Sequence, residues 1–361
     1  MKKLLAILLS SAMMVSVLTG CGGQTEPGGG DTPADSGAQT SAPADAMVFS
    51  FNMPPASGAP PYDCAVSFLA EEALKRTDGK YTFEVYGGSS LSGNDMITGM
   101  QMTQAGAIDC MILTGITFSN VVYETASLSL PFMWNDMETV YETLNIGTPV
   151  ADRLSDILEE NGLTLLGFPA IGFRDITNSK HEVRMPEDLN GLKMRVQSND
   201  MVYELWQGFG ANTAYVDNSE TYTSLQNGTI DGQENALVLN NIPNKIYEVN
   251  KFYTEINMCE DPFIMVMNSE KWNSIPAEDQ KILREVIADY VEETRKMNDE
   301  KYEEALQVLA ENNVQVTSLT EDEIAIWREK SETVTNKYAA MLDQELISLI
   351  YEANGRTYQP G

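Results

Sequence analysis

In Leu192-Lys193-Met194-Arg195-Val196, the apolar Leu192, Met194 and Val196 alternate with Lys193, Arg195 and Gln197, which is the period of a strand with one buried side. A guanidinium in mid-strand must meet water, an acid or a ligand. Its two parallel N–H donors match a carboxylate, so Arg195 is the first candidate for gripping an organic acid. Few other chemistries are open. The single histidine, His181, stands between Lys180 and Glu182 and reads as a surface residue. One histidine excludes catalysts that need two, the H-E-x-x-H zinc site among them. No G-x-S-x-G elbow, P-loop or EF-hand loop occurs. No metal, no cofactor and no enzymatic role are expected. With 53 Asp and Glu against 23 Lys and Arg, the net charge is -30. Such a field repels nucleic acid and anionic membranes. It repels an anionic ligand as well, so an anion site has to rest on local arginines and backbone donors.

The elements that position these residues follow from periodicity. Residues 47–52 and 81–86 alternate as strands, with a helix over 61–76 between them carrying Tyr62, Ala65, Val66, Leu69 and Ala73 on one face. A helix near 94–106, a strand at 108–113, helices over 136–145 and 149–161 and a strand at 163–168 complete a β-α-β-α series. That order predicts an α/β layer with a largely parallel sheet. After residue 170 the order repeats, with strands at 173–178, 192–197 and 213–216, helices at 200–209 and 219–226, and strands near 251–257 and 263–268. From Pro276 to about Asn313 no Pro or Gly interrupts the chain. A helix of that length reaches roughly 50 Å at about 1.5 Å per residue, enough to cross two lobes unless it breaks. Thr320-Glu321-Asp322-Glu323 is a capping box that opens a last long helix.

Several motifs agree in order and spacing. Leu130-Pro131-Phe132, Gly172-Phe173-Arg174, the Arg195 strand, Asp231-Gly232-Gln233-Glu234-Asn235, Val266-Met267-Asn268 and Trp272 together resemble the extracytoplasmic solute-binding subunits of TRAP transporters. The resemblance covers 47 to about 345. It implies a two-lobed α/β fold like that of class II periplasmic binding proteins, with a ligand cleft between lobes and long C-terminal helices bracing both. It also implies that Arg195 bonds a ligand carboxylate, with Arg174 and Asn235 adding contacts, and that the partners are integral-membrane TRAP subunits. The chain departs from the family at Gln197 and Ala236, where Pro is usual, and at Asn218, where an aromatic is usual. Asn218 and Tyr222 are therefore candidates for ligand choice. Tyr62 and Thr114 join them because cleft ligands lie beyond strand carboxyl ends. The implied division is 47–171 with about 260–299 as one lobe, and 172–259 with about 300–361 as the other. The implied state is a monomer. An ATP-driven importer's binding subunit, or a ligand sensor, is the other reading of the same lobes.

Residues 1–20 look like a bacterial lipoprotein signal peptide, with Lys2 and Lys3, an apolar stretch from Leu4 to Leu18, then Leu18-Thr19-Gly20-Cys21. This resemblance implies cleavage before Cys21, lipidation of Cys21 and an extracytoplasmic, membrane-anchored protein. The Gly, Pro and Ala-rich segment 21–46 reads as a flexible tether of roughly 25–30 Å. Cys64, Cys110 and Cys259 remain, and buried free thiols are expected of them.

Overall fold

In the computed structural model, the alternating segments pair into two sheets. The structure describes residues 43–169 and 172–358, so the signal-peptide reading, Cys21 and most of the tether lie outside the described residues. The first sheet contains β1 (Met47–Asn52), β2 (Tyr81–Tyr86), β3 (Cys110–Thr114), β4 (Leu163–Gly167) and β10 (Phe263–Asn268), in the order β2-β1-β3-β10-β4. The second contains β5 (Phe173–Asn178), β6 (Lys193–Val196), β7 (Asn212–Tyr215), β8 (Gly232–Ala236), β9 (Phe252–Glu260) and β11 (Gln315–Ser318), in the order β11-β9-β5-β8-β6-β7. This is the two-layered α/β plan that the periodicity predicts.

The sheets are largely parallel, as expected, with one reversed strand in each. In the first sheet β10 runs antiparallel to both β3 and β4, and in the second β5 runs antiparallel to both β8 and β9. The other pairs are parallel. The reason is connectivity. β5 and β10 are the strands that directly follow a strand of the other sheet with no helix between, β5 after β4 and β10 after β9. Each therefore starts at the edge where the parallel strands of its sheet end. The carboxyl ends of β1, β3, β4, β6, β8 and β9 and the first residues of β5 and β10 share this junction, where a ligand site is expected.

Helices hold the junction together. Ala277–Glu311 runs unbroken for 35 residues, about 52 Å at 1.5 Å per residue. Its Leu283, Val286, Ile287 and Tyr290 pack in the apolar cluster of the first sheet, while Ala305 and Leu309 pack with Leu237, Val238 and Tyr253 of the second. Midway, Arg295 donates from Nη2 to the carbonyls of Leu144 at 2.6 Å and Phe168 at 3.2 Å, tying the helix to the first crossing. The capping box forms at Thr320 and Glu323 and starts Glu321–Ala339, whose Trp327 stacks edge-on with Phe209 at 4.9 Å. The last helix, Gln344–Ala353, packs on Pro149–Glu160, beside an Arg153–Asp343 ion pair of 2.6 Å. It thus returns to the first sheet's side. Cys64, Cys110 and Cys259 are buried free thiols. No helix of the described residues is long and apolar enough to cross a membrane.

Candidate functional site

Strand β6 carries the alternation into the fold. Leu192, Met194 and Val196 enter the main core, and Arg195 turns to the other face, 4% exposed. Its Nε donates to the Val216 carbonyl at 2.9 Å. Among the described residues its two terminal nitrogens donate to no protein atom and no carboxylate lies within ion-pair distance. Burial, with the neighbouring Arg174 charge, pushes its pKa down to about 10, so Arg195 remains a cation at neutral pH. A buried guanidinium with two idle donors is poised for an anion.

Arg174, at the start of β5, is differently committed. Its Nε meets Glu234 Oε2 at 2.5 Å, and Nη2 donates to Glu234 Oε1 at 3.1 Å and to the Glu234 carbonyl at 3.0 Å. Its Nη1 stands 3.9 Å from Asp261 Oδ2. Burial opposes its charge, but Glu234 and then Asp261 outweigh burial and hold its pKa above the usual arginine value. Arg174 is thus neutralised within the protein, with Nη1 outside the Glu234 clasp. Among the described residues Arg174 does not pair with its neighbour Asp175. Asp175 accepts from the Tyr253 hydroxyl at 2.5 Å and from the N–H groups of Ile256 and Asn257 at 2.9 and 3.1 Å.

Asn235 lies on β8, next to β5, and is 5% exposed. Its Oδ1 accepts from the Ala236 N–H at 3.0 Å, and its Nδ2 donates to no described residue. Asn218 accepts at Oδ1 from Asn240 Nδ2 at 2.8 Å. Tyr222 packs beside Leu225, Ile230 and Ile246, and its hydroxyl donates to Glu248 at 2.7 Å. Thr114 closes β3, with Oγ1 donating to Thr117 Oγ1 at 3.2 Å. Tyr62 is 6% exposed, its ring so close to Gly87 that a Cβ there would sit 2.8 Å from it. Ala236 belongs to the same apolar cluster as Tyr62, which brings the end of β8 against the first sheet's strand ends.

Three residues that sequence reasoning did not single out as site residues complete the group. Gln233 stands in register with Arg195 on the neighbouring strand and donates from Nε2 to Asn240 Oδ1 at 3.2 Å and Asn241 Oδ1 at 3.0 Å. Asp261, fully buried in the second crossing, accepts from the Ile116 N–H at 2.9 Å, Ser129 Oγ at 2.8 Å and Gln197 Nε2 at 3.4 Å. It thereby joins loops of the first sheet to β6. The third is Glu234, the partner of Arg174. For Gln233 and Glu234 the sequence signal was the density of amides and acids between 231 and 241, and Asp261 lies outside that stretch. A cavity of about 540 Å³ between Leu144, Phe168, Arg284 and Val291 contains none of the candidates. Arg284 there is stacked over Trp272 at 4.8 Å, so its cation is occupied, and the Arg195 group is the better anion site.

Comparison with known proteins identifies the family. The signature of the family described as "Bacterial extracellular solute-binding protein, family 7" matches residues 51–341. The chain is similar to a solute-binding protein of Verminephrobacter eiseniae, 32% identical over 217 residues that cover 60% of this chain and 63% of that one. It is similar to the C4-dicarboxylate-binding periplasmic protein DctP of Rhodobacter capsulatus, 28% identical over 312 residues, 86% of this chain and 92% of that one. Among solved structures it is similar to a TRAP periplasmic solute binding protein of Ralstonia eutropha H16 with bound (S)-2-acetolactate, with a TM-score of 0.79 and 25% identity over 85% of this chain and 98% of the other.

Proposed function

Because the chain belongs to bacterial extracellular solute-binding protein family 7, we propose that it is the binding subunit of a TRAP-type secondary transporter, holding a small organic acid by its carboxylate and delivering it to integral-membrane subunits. The observation that carries this reading is Arg195, buried, cationic and with both terminal nitrogens idle. Those nitrogens take the two carboxylate oxygens in parallel. Arg174 Nη1 and Asn235 Nδ2 are the adjacent donors that complete the clamp. Thr114 and Tyr62, at the strand ends of the first sheet, contribute contacts that exist only with the cleft closed, so ligand shifts the population toward closure. The protein acts as a monomer held outside the cytoplasm by lipid on Cys21.

Calorimetric titration of Arg195→Ala against the acid that binds the wild type tests the clamp. Removing one partner of a buried charge pair costs about 2–5 kcal/mol, a loss of roughly 30-fold to several thousand-fold in affinity. Undiminished binding sinks the assignment. Labelling with a fatty-acid analogue that persists in Cys21→Ala would exclude the lipid anchor there.

A further inference from the structure

We propose that the ligand of this site carries one carboxylate and a neutral, hydroxyl-bearing remainder, as a sugar acid or other polyhydroxy monocarboxylate does, and not a second carboxylate. The inference rests on the reading of Arg195 as the carboxylate clamp.

Charge comes first. Of the two arginines at the strand ends, only Arg195 is unpaired, because Arg174 is held by Glu234 at 2.5 Å and faces Asp261 at 3.9 Å. The other charged side chains around the two guanidinium groups are acids, with Asp217 and Glu234 acting on Arg195 and Asp261 acting on Arg174. A second carboxylate entering here meets like charge and no free cation, and a buried charge without a counter-ion is strongly disfavoured.

The hydrogen-bonding valences come second. Gln233 stands beside Arg195, links through Asn240 to Asn218, and Asn218 follows Val216, whose carbonyl accepts from Arg195. The amides of Gln233, Asn240 and Asn218 thus form one hydrogen-bonded chain that starts beside Arg195. Two of its neighbouring oxygens are orphans: Gln233 Oε1 and Gln197 Oε1 are buried and accept from nothing. Gln197 lies on β6's own continuation, two residues beyond Arg195 on the same face. Meanwhile Asn218 Nδ2 and Asn235 Nδ2 donate to no described residue. Orphan acceptors beside idle donors call for a group that does both, and a hydroxyl donates once and accepts twice. A carboxylate only accepts and leaves the two glutamine oxygens unsatisfied at a cost.

The test is calorimetric titration of the purified protein with galactonate and glucuronate, with succinate and malate, and with pyruvate as a monocarboxylate without hydroxyls. Expected is binding of a hydroxylated monocarboxylate at least tenfold tighter than either dicarboxylate or pyruvate. Asn218→Ala and Gln197→Leu, each first checked for wild-type melting without ligand, should each lose roughly tenfold for that acid while changing pyruvate binding less than twofold. A dicarboxylate that binds as tightly as the hydroxylated acids, or variants that weaken all acids equally, overturns this inference alone and leaves the carboxylate clamp standing. If hydroxylated acids bind equally well to wild type and Arg195→Ala, or if no acid of the panel binds, the clamp itself falls and the inference with it.

Discussion

Glu234→Gln isolates what the buried ion pair does. Arg174 and Glu234 are 1% and 2% exposed, and three hydrogen bonds join them. The substitution keeps shape and one acceptor but removes the counter-ion, leaving Arg174 with only Asp261, 3.9 Å away. Removing one partner of a buried pair costs about 3–5 kcal/mol. For a body of this size each kcal/mol lowers the melting temperature by about 2 °C, so a loss of roughly 6–10 °C is expected. The site meanwhile gains one positive charge, so affinity for an organic acid is expected to hold or rise. The assay is thermal melting by circular dichroism without ligand, followed by calorimetric titration. The reasoning is refuted if the variant melts within about 2 °C of wild type while its affinity falls more than tenfold, since Glu234 would then serve the ligand and not Arg174. The double variant Arg174→Met/Glu234→Leu supplies the control, because replacing a whole buried pair by apolar side chains of similar volume is often neutral.

Burial lifts the Asp175 pKa to about 7 against the pull of Tyr253 and two backbone N–H groups, so its contribution to stability is full below the unfolded value near 3.8 and is lost as pH rises through 7. Asp175→Asn is expected to flatten the fall in stability between pH 4 and 7, by up to roughly 1.4 kcal/mol per pH unit in that window; denaturant titrations at pH 4.5 and 7 measure it, and parallel curves for both proteins would contradict it. Tyr222→Phe removes a hydroxyl that donates to Glu248, so ligand affinity should change less than twofold by calorimetry. With a net charge of -30, the protein repels its anionic ligand at long range, so stopped-flow association should quicken with added salt as the repulsion is screened; association that slows with salt would mean the local arginines dominate the approach.

The legible part of the fold is the part set by local pattern. The apolar alternation of Leu192, Met194 and Val196 placed Arg195 on its own face of a strand, and the capping box at Thr320 starts a helix as read. The helix after Pro276 proved unbroken because no residue in it disrupts the backbone ladder. The helix over 61–76 runs from Pro60 to Arg76 with one widened turn at Ala65–Leu69. Strand direction was not legible, since side-chain alternation is the same whichever way a strand runs. β8 and β11 escaped for different reasons. β11 is four residues long, and β8 is Gly-Gln-Glu-Asn-Ala, whose polar residues resemble a turn more than a strand. Their place is secured by long-range partners, and Gly232 shows how tightly, since a Cβ there would lie 2.3 Å from the Thr177 carbonyl. The commitment of Arg174 to Glu234 was equally hidden, because the two are sixty positions apart and meet only through the pairing of β5 with β8.

That pairing connects topology to specificity. β5 is reversed because it begins at the crossing from the first sheet, and its first residues therefore sit at the junction where β6 and β8 end. Arg174 reaches the junction for this reason, and Glu234 on β8 meets it there. Had β5 run with its neighbours, Arg174 would lie at the far end of the sheet and Glu234 would be a bare acid beside Arg195. The reversed strand thus does two things at once. It brings a second donor to the edge, and it cancels the acid that would otherwise quench Arg195. What remains at the junction is Arg195, a cation with no ion-pair partner among the described residues, and on the proposed reading this limits the ligand to a single carboxylate.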